Sequence, residues 1–340
     1  MTRRTAAALA AAAALAAPAV VRPAHAQDGP LSSQCAAQQV TVRDACQKSV
    51  DLLNYLAPQL GALVAGGNTE LGRGGATGGP GHFSLGVRAN VLRSPVPQAQ
   101  NLALSPFGPV RSQVGVDGAW VGFPVADAAV GVFGGVPLGI TTAGAVDVLI
   151  NAAYVPNVTQ EQVAIRTTGG SFKLGLGARL GLLRETALVP GISVSVLRRS
   201  LPTTSVTAVT DAGDRFGIRD ARVRADSWRL TVSKNLLIVA LAVGVGEDRY
   251  RTGADLEASL RANDLPAGVA TTLSGVGVSQ TLTRRNYFAD LTLLNLPFAK
   301  LVGEVGRTQG GALAATYNSF DGRRPDQAYT YGSVGVRVGR

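Results

Sequence analysis

The sequence predicts an all-β protein: a closed antiparallel up-and-down transmembrane β-barrel of about twelve strands, with a short N-terminal helix before the barrel. Three observations carry that expectation. Long segments have apolar residues recurring with period two, and the connections between segments alternate between short and long. Beyond the N-terminal leader, no run approaches the ~18 continuous apolar residues of a spanning helix. Of the 340 residues, 46% are hydrophobic and 42 are glycine. The mean hydropathy is positive, +0.19, and a barrel is the other way to satisfy every backbone group inside lipid.

The chain opens with Arg3 and Arg4, an Ala-rich apolar run and Ala24-His25-Ala26, the pattern of a secretory signal peptide cleaved after Ala26. Residues 27–81 are expected to form a periplasmic helical segment and a connector, and 82–340 the barrel. Cys35 and Cys46 would lie about 16 Å apart on one straight helix, too far for a disulfide. Thr41-Val42-Arg43-Asp44 resembles a capping box that starts the helix at Thr41, so that Cys35–Val40 can fold back onto Cys46. An oxidising compartment permits that bond, the alternative being two free thiols. The helix carries Val42, Cys46, Leu53, Leu56, Leu60 and Leu63 along one stripe, and Pro58 should kink it. That stripe has to be buried in the lumen, against the periplasmic rim or on a partner. The expectation is a packing element at the periplasmic mouth. Gly66–Gly81 reads as a flexible glycine-rich connector without the Lys-Ser/Thr ending of a phosphate loop.

From His82 onward the alternation gives strands at about 82–93, 111–122, 128–139, 144–154, 158–167, 171–183, 189–199, 226–235, 237–250, 279–293, 298–308 and 327–340. The clearest is Gly170–Pro202, where Phe172, Leu174, Leu176, Ala178, Leu180 and Leu182 oppose Lys173, Gly175, Gly177, Arg179 and Gly181. Such strands exceed the usual 5–6 residues and match the ~9–11 that cross a bilayer at a tilt. Short connections fall at Pro124–Asp127, Val155–Asn157, Arg184–Leu188, near Leu236 and at Leu294–Pro297. The long ones, Ser94–Val110, Ser200–Ala225, Arg251–Val278 and Thr308–Asp326, fall in the alternate set, as in barrels with both ends in the periplasm. Gly253–Asn263 has the composition of a short helix within the third long loop. Alternation by itself also fits a soluble sandwich with the apolar faces turned inward.

Residues with chemical potential are few. His82 is the only histidine left after the leader is removed, and it stands at the entrance of the first strand without a catalytic or metal-binding motif. No enzyme activity, metal or cofactor is implied. The candidate lumen-facing residues are Arg88, Asp117, Asp147, Asn151, Arg179, Arg229, Asp290 and Arg337. Charges of both signs either build a constriction selecting small solutes or satisfy one another inside a filled barrel. Small residues at Ala240, Ala242, Gly244 and Gly246 leave inward room for solvent or for the helix. Net charge is +10, and removing Arg3, Arg4 and Arg22 with the leader lowers it to +7. The partners this implies are outer-membrane lipid, lipopolysaccharide and a small solute. The export signal and the scattered basic residues argue against nucleic acid.

Leader, alternating strands, sorted loops and a strand at the very C-terminus together resemble bacterial outer-membrane β-barrel proteins over about residues 82–340. The pre-barrel segment is similar in position to the one that plugs FadL-type transporters of hydrophobic compounds. The chain departs from the general pattern in ending Val338-Gly339-Arg340 without a terminal aromatic, in its basic charge, and in having few girdle aromatics, among them Trp120, Tyr154, Trp228, Tyr287 and Tyr329. The resemblance implies a narrow pore or passive transporter, with a non-conducting scaffold presenting long loops as the alternative.

Overall fold

A computed structural model describes residues 29–159, 163–236, 239–261, 271–296, 299–313 and 315–339. The leader and its expected cleavage site lie outside these residues. Two helices come first, α1 (Ser33–Ala36) and α2 (Val40–Ala65), joined by a Cys35–Cys46 disulfide whose Cα atoms are 5.5 Å apart. The helix begins at Val40, one residue before the expected start, and the chain before it folds back as the cysteine spacing requires.

The strands are β1 (Phe83–Pro97), β2 (Val116–Phe133), β3 (Val136–Leu138), β4 (Thr141–Ala143), β5 (Ala145–Tyr154), β6 (Val158–Thr159), β7 (Val163–Thr168), β8 (Phe172–Leu183), β9 (Gly191–Ser200), β10 (Thr203–Val209), β11 (Arg215–Leu236), β12 (Val239–Ser259), β13 (Thr272–Asn295), β14 (Ala299–Thr308) and β15 (Tyr329–Gly339). Ten of them, β1, β2, β5, β8, β9 and β11 to β15, pair in that order as antiparallel neighbours. The ring closes where β15 meets β1, with Leu85 opposite Val338 and Val91 opposite Gly332. No sheet edge is left in the ring itself, which removes the sandwich alternative. β10, β7 and β6 extend as a flap from the first residues of β11, and β3 and β4 form a small hairpin between β2 and β5.

The ring has ten staves rather than the expected twelve, for two physical reasons. First, the expected 111–122 and 128–139 segments are one strand, β2, with Pro124 inside it opposite Ala89. The β5 ladder on β2 starts only at Val125, so the missing N–H of Pro124 falls where that side of β2 is unpaired. Second, the expected 158–167 strand falls in the flap, at the end where the long loops gather, so Val155–Asn157 is not a short turn of the opposite end. The two miscounts cancel in direction, and every later strand keeps its expected sense. Long connections at 98–115, 155–171, 201–214, 260–271 and 309–328 share one end. The 134–144 and 184–190 connections and the breaks after Leu236 and Leu296 share the other. Gly253–Ser259, expected to be helical, continues β12, and residues 262–263 lie outside the described set.

Outward faces carry Leu85, Val87, Leu176, Leu180, Val196, Leu241, Val243, Leu291, Val305, Val334 and Val336, all exposed. Inward faces are mostly polar or small in the half toward the short turns, with Leu149, Phe288 and Val302 among them, and mostly apolar at the loop end. There Leu102, Phe216, Leu256, Leu273, Val276 and Phe320 surround the first half of α2, and Tyr55 stacks on Phe320 with ring centroids 4.1 Å apart. Further down, Ala62, Leu63 and Val64 pack on Leu92, Phe123, Tyr250 and Tyr331. The helix therefore runs inside the ring with its N-terminal half among the long loops, the lumen being one of the three places open to its apolar stripe. The reason is energetic: α2 is buried on nearly every face, and the loop end and middle of the lumen offer it matching apolar lining.

Candidate functional site

The lumen below α2 is filled by a strap, residues 66–77, that descends from the helix end toward the short turns. Expected to be flexible, it is instead mostly buried and held along its length. A helix end leaves carbonyls without intrahelical donors and a partial negative charge. Three inward arginines supply both needs. Arg199 and Arg229 donate to the Ala65 carbonyl, Arg199 also donates to the Gly67 carbonyl at 2.7 Å, and Arg88 donates to the Gly66 carbonyl at 2.9 Å. Asn90 adds a 2.8 Å bond to the same Gly66 oxygen. Arg88 is held in turn by Asp127, which accepts its Nε–H at 2.5 Å and the Asn151 amide at 2.8 Å.

Glu70 is the second anchor. Its carboxylate meets Arg73 at 2.6 Å, Arg337 at 3.1 Å and, more closely, Arg179. Three guanidinium groups, Arg73, Arg179 and Arg337, thus surround one buried carboxylate. Asp147 accepts from Arg179 Nε at 2.8 Å and from the Thr77 backbone N–H at 3.0 Å. On the opposite wall Asp290 accepts from the Gly72 N–H at 3.1 Å, and Glu304 accepts from the Asn68 N–H at 2.8 Å and from the Tyr331 hydroxyl at 3.0 Å. Arg229 Nη1 reaches Asn68 Oδ1 at 3.0 Å.

Of the residues singled out by alternation, Arg88, Asp147, Asn151, Arg179, Arg229, Asp290 and Arg337 are buried in this lumen, and all but Asn151 touch the strap or the end of α2 directly. Asp117 does not join them. It has the inward phase of β2 but lies exposed at the loop rim, where its carboxylate accepts the Gln98 amide at 2.7 Å. Tyr329, a girdle candidate, is buried inside with Arg284 over its ring. His82 sits at the foot of β1, half-buried. Sequence reasoning missed Glu70, Asp127, Arg199 and Glu304. Arg199 and Glu304 share the inward phase of Ser193 and Val302, so the period-two count contains them. Asp127 was hidden by the turn assigned around Pro124, and Glu70, lying outside any strand, carries no periodic signal.

The interior leaves little space. A cavity of about 20 Å³ remains between Glu70, Arg179, Arg199 and Arg229, room for about one water. At the short-turn end a vestibule of about 710 Å³ opens between Arg73, Arg184, Glu185, Lys300 and Arg337. Among the described residues no group of His, Cys, Asp or Glu could hold a metal ion.

Outside the ring, the apolar belt runs up to Trp120, Tyr154, Phe172, Trp228 and Tyr287, where the outward phase turns charged. A closed antiparallel ring with this belt on its outer face can be stable only if hydrocarbon covers the belt. The architecture is that of a bacterial outer-membrane β-barrel. No family model and no curated protein matches the chain. Among solved structures it resembles the attachment invasion locus protein Ail of Yersinia pestis (9% identity, TM-score 0.26, covering 76% of this chain and 97% of that one). It also resembles a Pseudomonas aeruginosa FadL homologue (9%, 0.24, 79% and 96%) and an anion-selective porin from Comamonas acidovorans (12%, 0.18, 76% and 98%). Likeness at these scores carries no weight beside the ring and its belt.

Proposed function

We propose that this chain is a barrel of the outer membrane, delivered by the leader 1–26, that is closed by its own N-terminal segment. It works as a non-conducting scaffold presenting its five long connections. The observation that carries this reading is the lumen itself. At the level of Glu70 and Arg229 the strap and its partners close around a cavity of about 20 Å³, room for about one water. Arg88, Arg199 and Arg229 bind the end of α2, and Asp44 and Asp51 bind loop backbone at the other end. Asp44 accepts from the Ser105 N–H at 2.8 Å and the Val110 N–H at 2.9 Å, and Asp51 from the Asn318 N–H at 2.9 Å. The helix is thus a pillar on which loops rest, and a loop surface held from within is what a presenting scaffold needs. The test is conductance in planar bilayers. The full chain is expected to stay silent, and a steady ion current through it overturns the closed reading.

The second reading, passage of a small solute, is favoured by one feature. The vestibule at the short turns is lined by Arg73, Arg184, Lys300 and Arg337 against a single Glu185, a setting that draws anions. Withdrawal of the strap would extend this vestibule into the lumen. Solute uptake by liposomes carrying the full chain would establish that reading.

A further inference from the structure

On its outer face the barrel carries a compact basic patch at the loop-side edge of the apolar belt, on β9, β11 and β12. Three rows of cross-strand neighbours build it. The lowest sets Val196, Trp228 and Glu247 side by side. Above it Arg198 stands opposite Asp226, and Asp226 opposite Arg249. Higher still Arg224 and Arg251 stand directly opposite each other. Like charges so placed repel, and of the two acidic residues in the rows, Glu247 and Asp226, the one between the arginines is already committed: Asp226 pairs with Arg198 at 2.6 Å and with Arg251. Arg222, Arg224 and Arg249 are exposed and make no salt bridge among the described residues. Beneath them an open groove of about 770 Å³ runs between Leu174, Leu176 and Trp228 on its apolar side and Arg198, Arg224 and Arg249 on its charged side.

We propose that this groove is a docking surface for a phosphorylated disaccharide lipid of the lipid A kind, its phosphates on the arginines and its acyl chains on the leucines and Trp228. This assignment rests on the outer-membrane reading above and goes beyond it in naming the face and the ligand chemistry. Three features select that ligand. Guanidinium forks match phosphate oxygens bidentately. Uncommitted positive charge faces outward, away from the lumen, at the height where lipid headgroups meet the girdle. The charge is also continuous with an apolar wall, so a ligand with phosphates alone, or a sulfated polysaccharide, would use only half the groove.

The experiment titrates detergent-solubilised full chain with diphosphoryl lipid A, inorganic phosphate and a heparin fragment, beside the Arg222→Gln/Arg224→Gln/Arg249→Gln variant. The three side chains project outside the fold, so the variant is expected to keep the heat-modifiable gel mobility of a closed barrel. Lipid A binding should weaken on the order of a hundredfold in the variant, and inorganic phosphate should not compete at equal concentration. Equal lipid A binding by both proteins overturns the proposal, as does heparin binding as tight as that of lipid A and lost in the same variant. Failure of the underlying reading looks different: the unaltered chain then shows no heat-modifiable shift at all.

Discussion

Glu70 shows what one residue does in this fold. Three arginines converge on its carboxylate, so replacing it with Gln leaves Arg337 buried without a carboxylate partner and Arg179 with Asp147 alone. Removing one member of a buried pair costs about 3–5 kcal/mol, and Glu70→Gln is expected to lower the urea midpoint of the barrel accordingly.

At the scale of elements, α2 acts as the core that a barrel of this width would otherwise lack. Gly61 lies against the Tyr250 ring so closely that an added Cβ would sit 2.4 Å from it. Gly61→Leu should therefore expel part of the helix from the ring, and limited proteolysis should then cut within 40–65, where the parent resists. The disulfide fixes the other end. Both sulfurs are buried, and Cys35–Cys46 ties α1 to the part of α2 that supports the loops. Replacing both with Ser is expected to cost about 2–4 kcal/mol, read as a lower melting temperature that added reductant does not lower further. The small inward residues on β12 also find their purpose at this scale. Gly244 is covered by the Phe288 ring, and Gly306 on β14 by Tyr331, so the space they leave is filled by aromatic side chains as well as by the strap.

For the whole molecule, the path of the chain sets the topology. Gly29 donates its N–H to the Thr316 carbonyl within the 309–328 connection, and β1 begins at the other end of the ring. Between the two the chain traverses the lumen from the loop end to the short-turn end. If the short turns face the periplasm, an epitope inserted at the exposed Ala37 is expected to bind antibody on intact cells. Binding only after permeabilisation would reverse the orientation. Heat-modifiable mobility with sedimentation in the membrane fraction is expected as well, and a soluble protein without that shift would remove the barrel from its membrane.

The staves and their inward and outward faces could be read from residues alone, because a strand's period of two is a local property that each short segment declares for itself. The Cys35–Cys46 bond was readable for the same reason, since two cysteines eleven residues apart and a helix start between them constrain one another locally. Whether Pro124 turned the chain or sat within β2 depended on where β5 begins to pair, and the destination of Val163–Thr168 depended on which neighbour had an open edge. Those are questions about partners far away in the chain. The sealing of the lumen is the extreme case. Glu70 and the glycines around it look like slack connector in the sequence, and only closure of the ring brings Arg179, Arg337, Arg199 and Arg229 from separate strands onto one strap, where burial makes each pairing obligatory.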